Sequence, residues 1–271
     1  MRRLFLAMSA LAAFAAIDAA SAADMALKAP PPAPVDPWSG WYAGVNIGYS
    51  WGKASSLYYD PNFSNFAAVN SNPLSRRLDG VIGGGQIGYN LHADKTWVLG
   101  LEADIQGSGE RGTAGFSDIY SVGVGCDIYC STVSGTMKTA IDWFGTLRGR
   151  LGVLVSPTAL LYGTGGLAFG GVKVSGTVTD NCASGPPACL PLSWGFGNTT
   201  TKAGWTAGGG IEGLFPNTAY WTWKLEYLYL NLGTVRGTGY EPFADFGPLP
   251  YSWSSRVTDN ILRVGASYHF H

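Results

Sequence analysis

The chain has 271 residues, with 17 Lys+Arg against 18 Asp+Glu and a formal net charge of −1. Charged residues make up 13% of it, about half of the roughly 25% usual in a soluble domain, while Gly occurs 39 times and aromatics reach 13%. The lack of surplus cations to displace counterions from phosphate excludes a nucleic-acid binder. A 46% apolar content excludes disorder, and past the N-terminus no unbroken apolar run reaches the ~18 residues of a membrane helix.

Arg2 and Arg3 precede an apolar, Ala-rich run over residues 4–17, and Ala20-Ser21-Ala22 follows. This order of charge, apolar run and small residues predicts a secretory signal peptide over residues 1–22. A proline run follows within residues 23–40 and reads as a stiff, extended periplasmic spacer. The remainder, residues 41–271, is expected to be one domain.

That domain opens with a period of two. Trp41, Ala43, Val45, Ile47, Tyr49 and Trp51 share one face, and Tyr42, Gly44, Asn46, Gly48 and Ser50 the other, as a two-faced strand requires. Seven further segments repeat the pattern. Val81, Ile87, Tyr89 and Leu91 oppose Gln86, Gly88, Asn90 and His92, and Trp97, Leu99, Leu101, Ala103 and Ile105 oppose Glu102, Asp104 and Gln106. Ile141, Trp143, Leu147 and Leu151 oppose Asp142, Thr146, Arg148 and Arg150. In the fifth segment Leu161, Leu167 and Phe169 oppose Tyr162 and Thr164, and in the sixth Trp205, Ala207 and Ile211 oppose Thr206 and Glu212. Trp221, Trp223, Leu225, Tyr227 and Tyr229 then oppose Thr222, Lys224 and Glu226. Last, Leu262, Val264, Ala266, Tyr268 and Phe270 oppose Arg263, Ser267 and His269.

The connections alternate strictly. Short turns lie near residues 93–96, 155–158 and 215–218, and stretches of about 25 residues near 52–79, 108–136, 175–201 and 232–255, far beyond the usual 2–5 of a hairpin. In an antiparallel meander this puts every short turn at one rim and every long loop at the other. The expected fold is therefore all-β: an eight-stranded antiparallel up-and-down transmembrane β-barrel with short periplasmic turns and long extracellular loops.

Orientation follows from charge. Each Lys or Arg facing lipid at mid-depth costs about 2–4 kcal/mol, so four would cost roughly 8–16, comparable with a whole domain's stability. The charged face must line the lumen. Glu102, Asp104, Asp142, Arg148, Arg150, Glu212, Lys224, Glu226 and Arg263 are expected to form a hydrogen-bonded plug there, because eight strands enclose little more than their own side chains. Large aromatics near segment ends match the girdles of the two lipid–water boundaries.

The segments over residues 38–49, 83–90, 100–105, 146–152, 162–168 and 223–227 (WSGWYAGVNIGY, GGGQIGYN, GLEADI, TLRGRLG, YGTGGLA and WKLEY) resemble the outer-membrane immunogenic protein family, porin-type β-barrels of Gram-negative bacteria. The resemblance spans nearly all of the expected mature chain. It implies an OmpA-like barrel in the cell outer membrane, with a structural, envelope-integrity and surface-antigen role, the alternative being a narrow porin for small solutes. Barrels of this kind end on an aromatic read by the assembly machinery; Tyr268 and Phe270 keep that spacing, although His271 follows.

Cys126 with Cys130, and Cys182 with Cys189, form two tight pairs, which in an oxidising compartment predict two local disulfides, although three connectivities are open. No enzyme, cofactor or metal site is expected. Gly83-x-Gly85-x-x-Gly88 and Gly208-x-Gly210-x-x-Gly213 lie inside strands rather than ahead of helices, and read as glycines for curvature and close approach. Ser267 and His269 stand too far apart along one strand for a nucleophile and its base. The expected partners are outer-membrane lipid, the barrel-assembly machinery and host or envelope partners of the loops, with no nucleic acid.

Overall fold

The computed structural model describes residues 36–59, 74–94, 96–122, 129–184, 191–241 and 249–270. The chain divides into two units, Met1–Val35 and Asp36–His271. The signal-peptide expectation falls in the first and lies outside the described residues; in the second, Cys126, Cys189 and His271 also lie outside them, and with them the disulfide expectation.

The second unit is a closed ring of eight antiparallel strands in sequence order. They are β1 (Gly40–Tyr59), β2 (Leu74–His92), β3 (Trp97–Val122), β4 (Tyr129–Ser156), β5 (Ala159–Ser184), β6 (Leu192–Leu214), β7 (Trp221–Glu241) and β8 (Leu249–Phe270). The ring closes through β1 and β8, from Trp41↔Phe270 to Tyr59↔Ser252.

Alternation places the faces as their chemistry requires. Val45 is 68% exposed, Leu101 64% and Leu167 64%, all outward, whereas Glu102, Arg148 and Glu226 are buried inside. Such an apolar exterior far exceeds the few hundred Å² tolerated in water, so its solvent is lipid. Aromatic side chains bracket the band. Near the short turns, Trp41 packs on Tyr89 and Trp221 on Tyr268; at the opposite boundary, Trp205 packs on Tyr229 and Trp51 on Tyr227. Residues 41–51 of β1 cover about 33 Å along the strand, or about 25 Å of depth at a ~40° tilt, the height of a membrane barrel's apolar belt.

The strands run further than the alternation predicted. Residues 52–59 and 74–79, read as loop, belong to β1 and β2, and every other long connection loses length in the same way. Beyond the outer aromatic boundary the two faces exchange character. Ala54, Tyr58, Leu78, Met137, Val174, Trp253 and Val257 point inward into one apolar core, while Lys53, Arg77 and Lys173 stand outside.

Among the described residues, two seams open in this extension. β2–β3 pairing ends at Asp79↔Arg111 and β6–β7 pairing at Trp205↔Asn231, while the remaining pairs continue to the strand ends. β7 leaves β6 at a register shift between Asn231 and Gly233. Gly233 adopts φ 75° there and donates its N–H to Asn231 Oδ1 at 2.9 Å, a conformation that favours glycine. The ring thus becomes two four-stranded sheets, β7-β8-β1-β2 and β3-β4-β5-β6, packed face to face like a sandwich. Tyr58 and Tyr251 of one sheet pack their rings on Phe196 of the other.

At the short-turn end, residues 36–39 belong with the barrel rather than with the spacer in which they were placed. Trp38 is 1% exposed and donates Nε1–H to Pro157 O at 3.1 Å. It packs with Val98, Leu160 and Tyr162 as a floor to the bore. His92 meets Asp36, with Nδ1 to Oδ2 at 2.8 Å.

Candidate functional site

The bore is filled in layers above that floor. Four bases (Arg148, Arg150, Lys224 and Arg263) and four acids (Glu102, Asp104, Glu212 and Glu226) meet at its centre with almost no solvent exposure. β4 supplies two of the bases at alternate positions, so both point inward, and β3 supplies Glu102 and Asp104 directly opposite Arg148 and Thr146.

Arg148 donates to Glu102, to Asp104 Oδ2 at 2.9 Å and to Glu226 Oε1 at 2.9 Å. Arg263 Nε donates to Glu226 Oε2 at 2.7 Å and its Nη2 to Asp104 Oδ2 at 3.0 Å. Lys224 Nζ reaches both oxygens of Glu102 at 3.1 Å. Arg150 Nη2 donates to Glu212 Oε2 at 2.6 Å, and its guanidinium lies 4.1 Å from the Tyr162 ring centroid. Charges this deeply buried persist only when each has partners of opposite sign and good geometry, and the balance here is four against four.

Of the nine predicted network residues, eight meet in the bore and Asp142 does not. A register shift between Ile141 and Trp143 puts two successive β4 residues outside, so Ile141 turns inward and Asp142 faces out. Asp142 lies 3.8 Å from Arg111, with half of its side chain exposed. The bulge keeps a fifth acid out of the central cluster, where four acids meet four bases.

The network also recruits residues not singled out as members. Tyr42 Oη accepts from Arg150 at 2.7 Å and donates to Glu102 Oε2 at 2.7 Å, and Tyr162 Oη donates to Glu226 at 3.1 Å. Gly88 makes room: a Cβ there would stand 2.3 Å from the Tyr42 ring. Thr222 Oγ1 donates to Glu212 Oε1 at 2.7 Å, and His269 Nε2 lies 3.5 Å from the same oxygen. The signal for all of them was their inward parity.

Further along the bore, Asn46 donates to Gln86 Oε1 at 3.0 Å and Gln86 to Ser267 Oγ at 2.9 Å. Ser267 and His269 therefore serve different partners. Glu110 and Asp259 come next, both fully buried; Glu110 lay in a stretch read as loop. The apolar core of the two sheets begins above them.

Tyr268 and Phe270 face the lipid side, their rings 5.2 Å apart. The β4–β5 register sets Cys130 opposite Ser184 and Cys182 opposite Ser131.

Comparison with known proteins agrees with this architecture. A family model described as an outer membrane protein beta-barrel domain matches residues 8–270. The 31 kDa outer-membrane immunogenic protein of Brucella melitensis is 36% identical over 249 residues, covering 89% of this chain and 88% of the relative. The 22 kDa outer membrane protein of Rhizobium leguminosarum is 29% identical over 243 residues, covering 88% and 82%. Among solved structures, the outer membrane protein OprG of Pseudomonas aeruginosa covers 86% of this chain and 97% of its own at 12% identity, with a TM-score of 0.45. The chain therefore belongs to the outer-membrane immunogenic protein family of β-barrels, seated in the outer membrane of a Gram-negative bacterium.

Proposed function

We propose that this barrel is a closed, non-enzymatic envelope protein that stabilises the outer membrane and presents its outer extension as a surface antigen, without conducting solutes. The observation that carries this reading is the occupancy of the bore: Trp38 at the floor, the eight buried charges, the Asn46–Gln86–Ser267 layer and the apolar core above. Opening a path would require breaking several buried charge-assisted hydrogen bonds together, each worth about 1.5–3 kcal/mol. The antigenic part of the reading draws on the relatives named as immunogenic proteins and on the reach of the strands beyond the lipid band.

On the same reading Tyr268 and Phe270 form the signal read by the assembly machinery, and the partners are outer-membrane lipid and ligands of the exposed extension. Single-channel recording in planar bilayers tests the closed bore. The reading expects no discrete conductance steps from the refolded protein; reproducible steps would establish the narrow porin in its place.

A further inference from the structure

Of the two seams in the extension, the β2–β3 seam is stitched. Arg76 on β2 donates Nε–H to Thr139 Oγ1 on β4 at 3.0 Å, and a Cβ at Gly112 on β3 would collide with Arg77 O, so the backbones stay close there. The β6–β7 seam instead holds a cleft of about 570 Å³ between residues 195–198 of β6 and 237–240 of β7. Residues 192–204 of β6 pair with β5 alone, and residues 233–241 of β7 with β8 alone. Two strand edges thus face each other, each directing backbone N–H and C=O groups away from its own sheet.

The cleft has the dimensions of a missing strand. A sheet allots each residue a rise of ~3.3 Å, a strand spacing of ~4.8 Å and a thickness of ~10 Å, or ~160 Å³, so the cleft holds about three to four residues. Its walls carry no side chain at Gly195, Gly197, Gly237 and Gly239. Its floor is aromatic. A Cβ at Gly237 would collide with the Trp253 ring and one at Gly239 with the Tyr251 hydroxyl, so both β8 side chains lie across β7 into the seam. There Phe196 of β6 meets them, 5.7 Å from Trp253 and 6.1 Å from Tyr251.

A strand placed between the two edges sends alternate side chains onto these rings and the others to water. On the water side Arg236 of β7 stands exposed, a cation for acidic side chains at the alternate positions. Phe196 lies nine residues beyond Trp205. At ~2.5 Å of depth per residue this is about 22 Å above the hydrocarbon, clear of the lipid headgroups. The occupant therefore comes from the surroundings of the cell, and edges on both sides select a chain that offers amide donors and acceptors at the strand repeat.

We propose that the β6–β7 seam takes up an extended segment of a partner polypeptide as a ninth strand, with apolar side chains at alternate positions and acidic ones between them. The assignment rests on the outer-membrane placement of the chain and not on the closed bore, so a conductance result leaves it untouched.

The test uses the full barrel in neutral-lipid nanodiscs and the fluorescent probe Thr-Phe-Glu-Val-Thr-Phe-Glu-Val, read by anisotropy against empty nanodiscs. Saturable binding is expected. N-methylation of alternate amides along either edge of the probe should weaken it about tenfold, because each edge pairs with one wall. Phe196→Ala should weaken it about fivefold and Arg236→Glu about threefold, with the unboiled variants keeping their folded gel mobility. Arg77→Glu, at the opposite edge of the same sheet, should leave binding unchanged. If Phe196→Ala does not fold, the methylated probes on the unaltered barrel decide. Absence of saturable binding, indifference to methylation of one or both edges, or full binding to folded Phe196→Ala would overturn the proposal. So would a barrel dimer that the probe dissociates, which would make a second copy the occupant.

Discussion

Arg150 on β4 reaches past β5 to Glu212 on β6, Nη2 to Oε2 at 2.6 Å, with both side chains almost wholly buried. The pair ties strands that are not sheet neighbours, so it braces the wall across the bore. Removing one partner leaves an uncompensated buried charge, which typically costs 3–5 kcal/mol, whereas replacing both with apolar groups of similar volume is often neutral. Glu212→Ala should therefore lose about 3–5 kcal/mol in urea unfolding of the refolded barrel. Arg150→Met/Glu212→Leu should recover most of that loss.

The inside-out arrangement makes two leucines respond oppositely. Leu101 faces lipid, and Leu101→Arg should cost about 2–4 kcal/mol by equilibrium folding into bilayers, with Leu101→Ala much milder. Leu78 has no exposed surface in the apolar core beyond the membrane, and Leu78→Ala should cost about 2–5 kcal/mol through the cavity it leaves. Comparable losses for the two alanine variants would contradict the assignment of faces.

Gly88 and Tyr42 carry a sharper steric expectation. A methyl group at Gly88 would meet the Tyr42 ring at 2.3 Å, well inside contact distance, so Gly88→Ala should push the ring aside and detach its hydroxyl from Glu102 and Arg150. Overpacking of this kind costs about 1–3 kcal/mol. Gly88→Ala/Tyr42→Phe should then add little to Gly88→Ala alone, which a double-mutant cycle measures.

Burial lifts the Asp180 carboxyl above its ordinary range, in the part of β5 that stands clear of the membrane. A carboxyl with a raised folded value binds its proton more tightly in the folded than in the unfolded chain. Its charged form therefore opposes folding at neutral pH, and the opposition fades as pH falls through the folded value. Asp180→Asn should stabilise the barrel at pH 7, and the gain should shrink as pH falls and be lost below the ordinary Asp value of about 3.9, as urea midpoints at pH 7 and about pH 3 will show.

Period two made the membrane part legible. The eight strands, their faces and the lumen placement of Arg148, Arg150, Lys224 and Arg263 all followed from it. Asp142 escaped because a bulge changes parity without changing composition, and one extra residue in β4 is invisible to an alternation count. The outer half of the strands was hidden for another reason. In β8, Tyr251, Trp253, Val257 and Ile261 are apolar at odd positions and face inward, while Leu262, Val264 and Ala266 are apolar at even positions and face lipid. The apolar set changes phase where the strand leaves the bilayer, since lipid outside gives way to water and a polar bore gives way to an apolar core. Read for one phase only, the extension looks like loop; the phase change itself is the signal.

A nitroxide scan along β1 tests the central claim most directly, comparing collision with oxygen against collision with a water-borne relaxation agent in reconstituted vesicles. Labels at Ala43, Val45 and Ile47 should collide with oxygen and be shielded from the aqueous agent. Labels at Ser55 and Leu57 should be open to it, and labels at Ala54 and Tyr58 reachable by neither. Aqueous access at Val45 and Ile47, or at Ala54 and Tyr58, would contradict a lipid-clad barrel that continues outward around an apolar core.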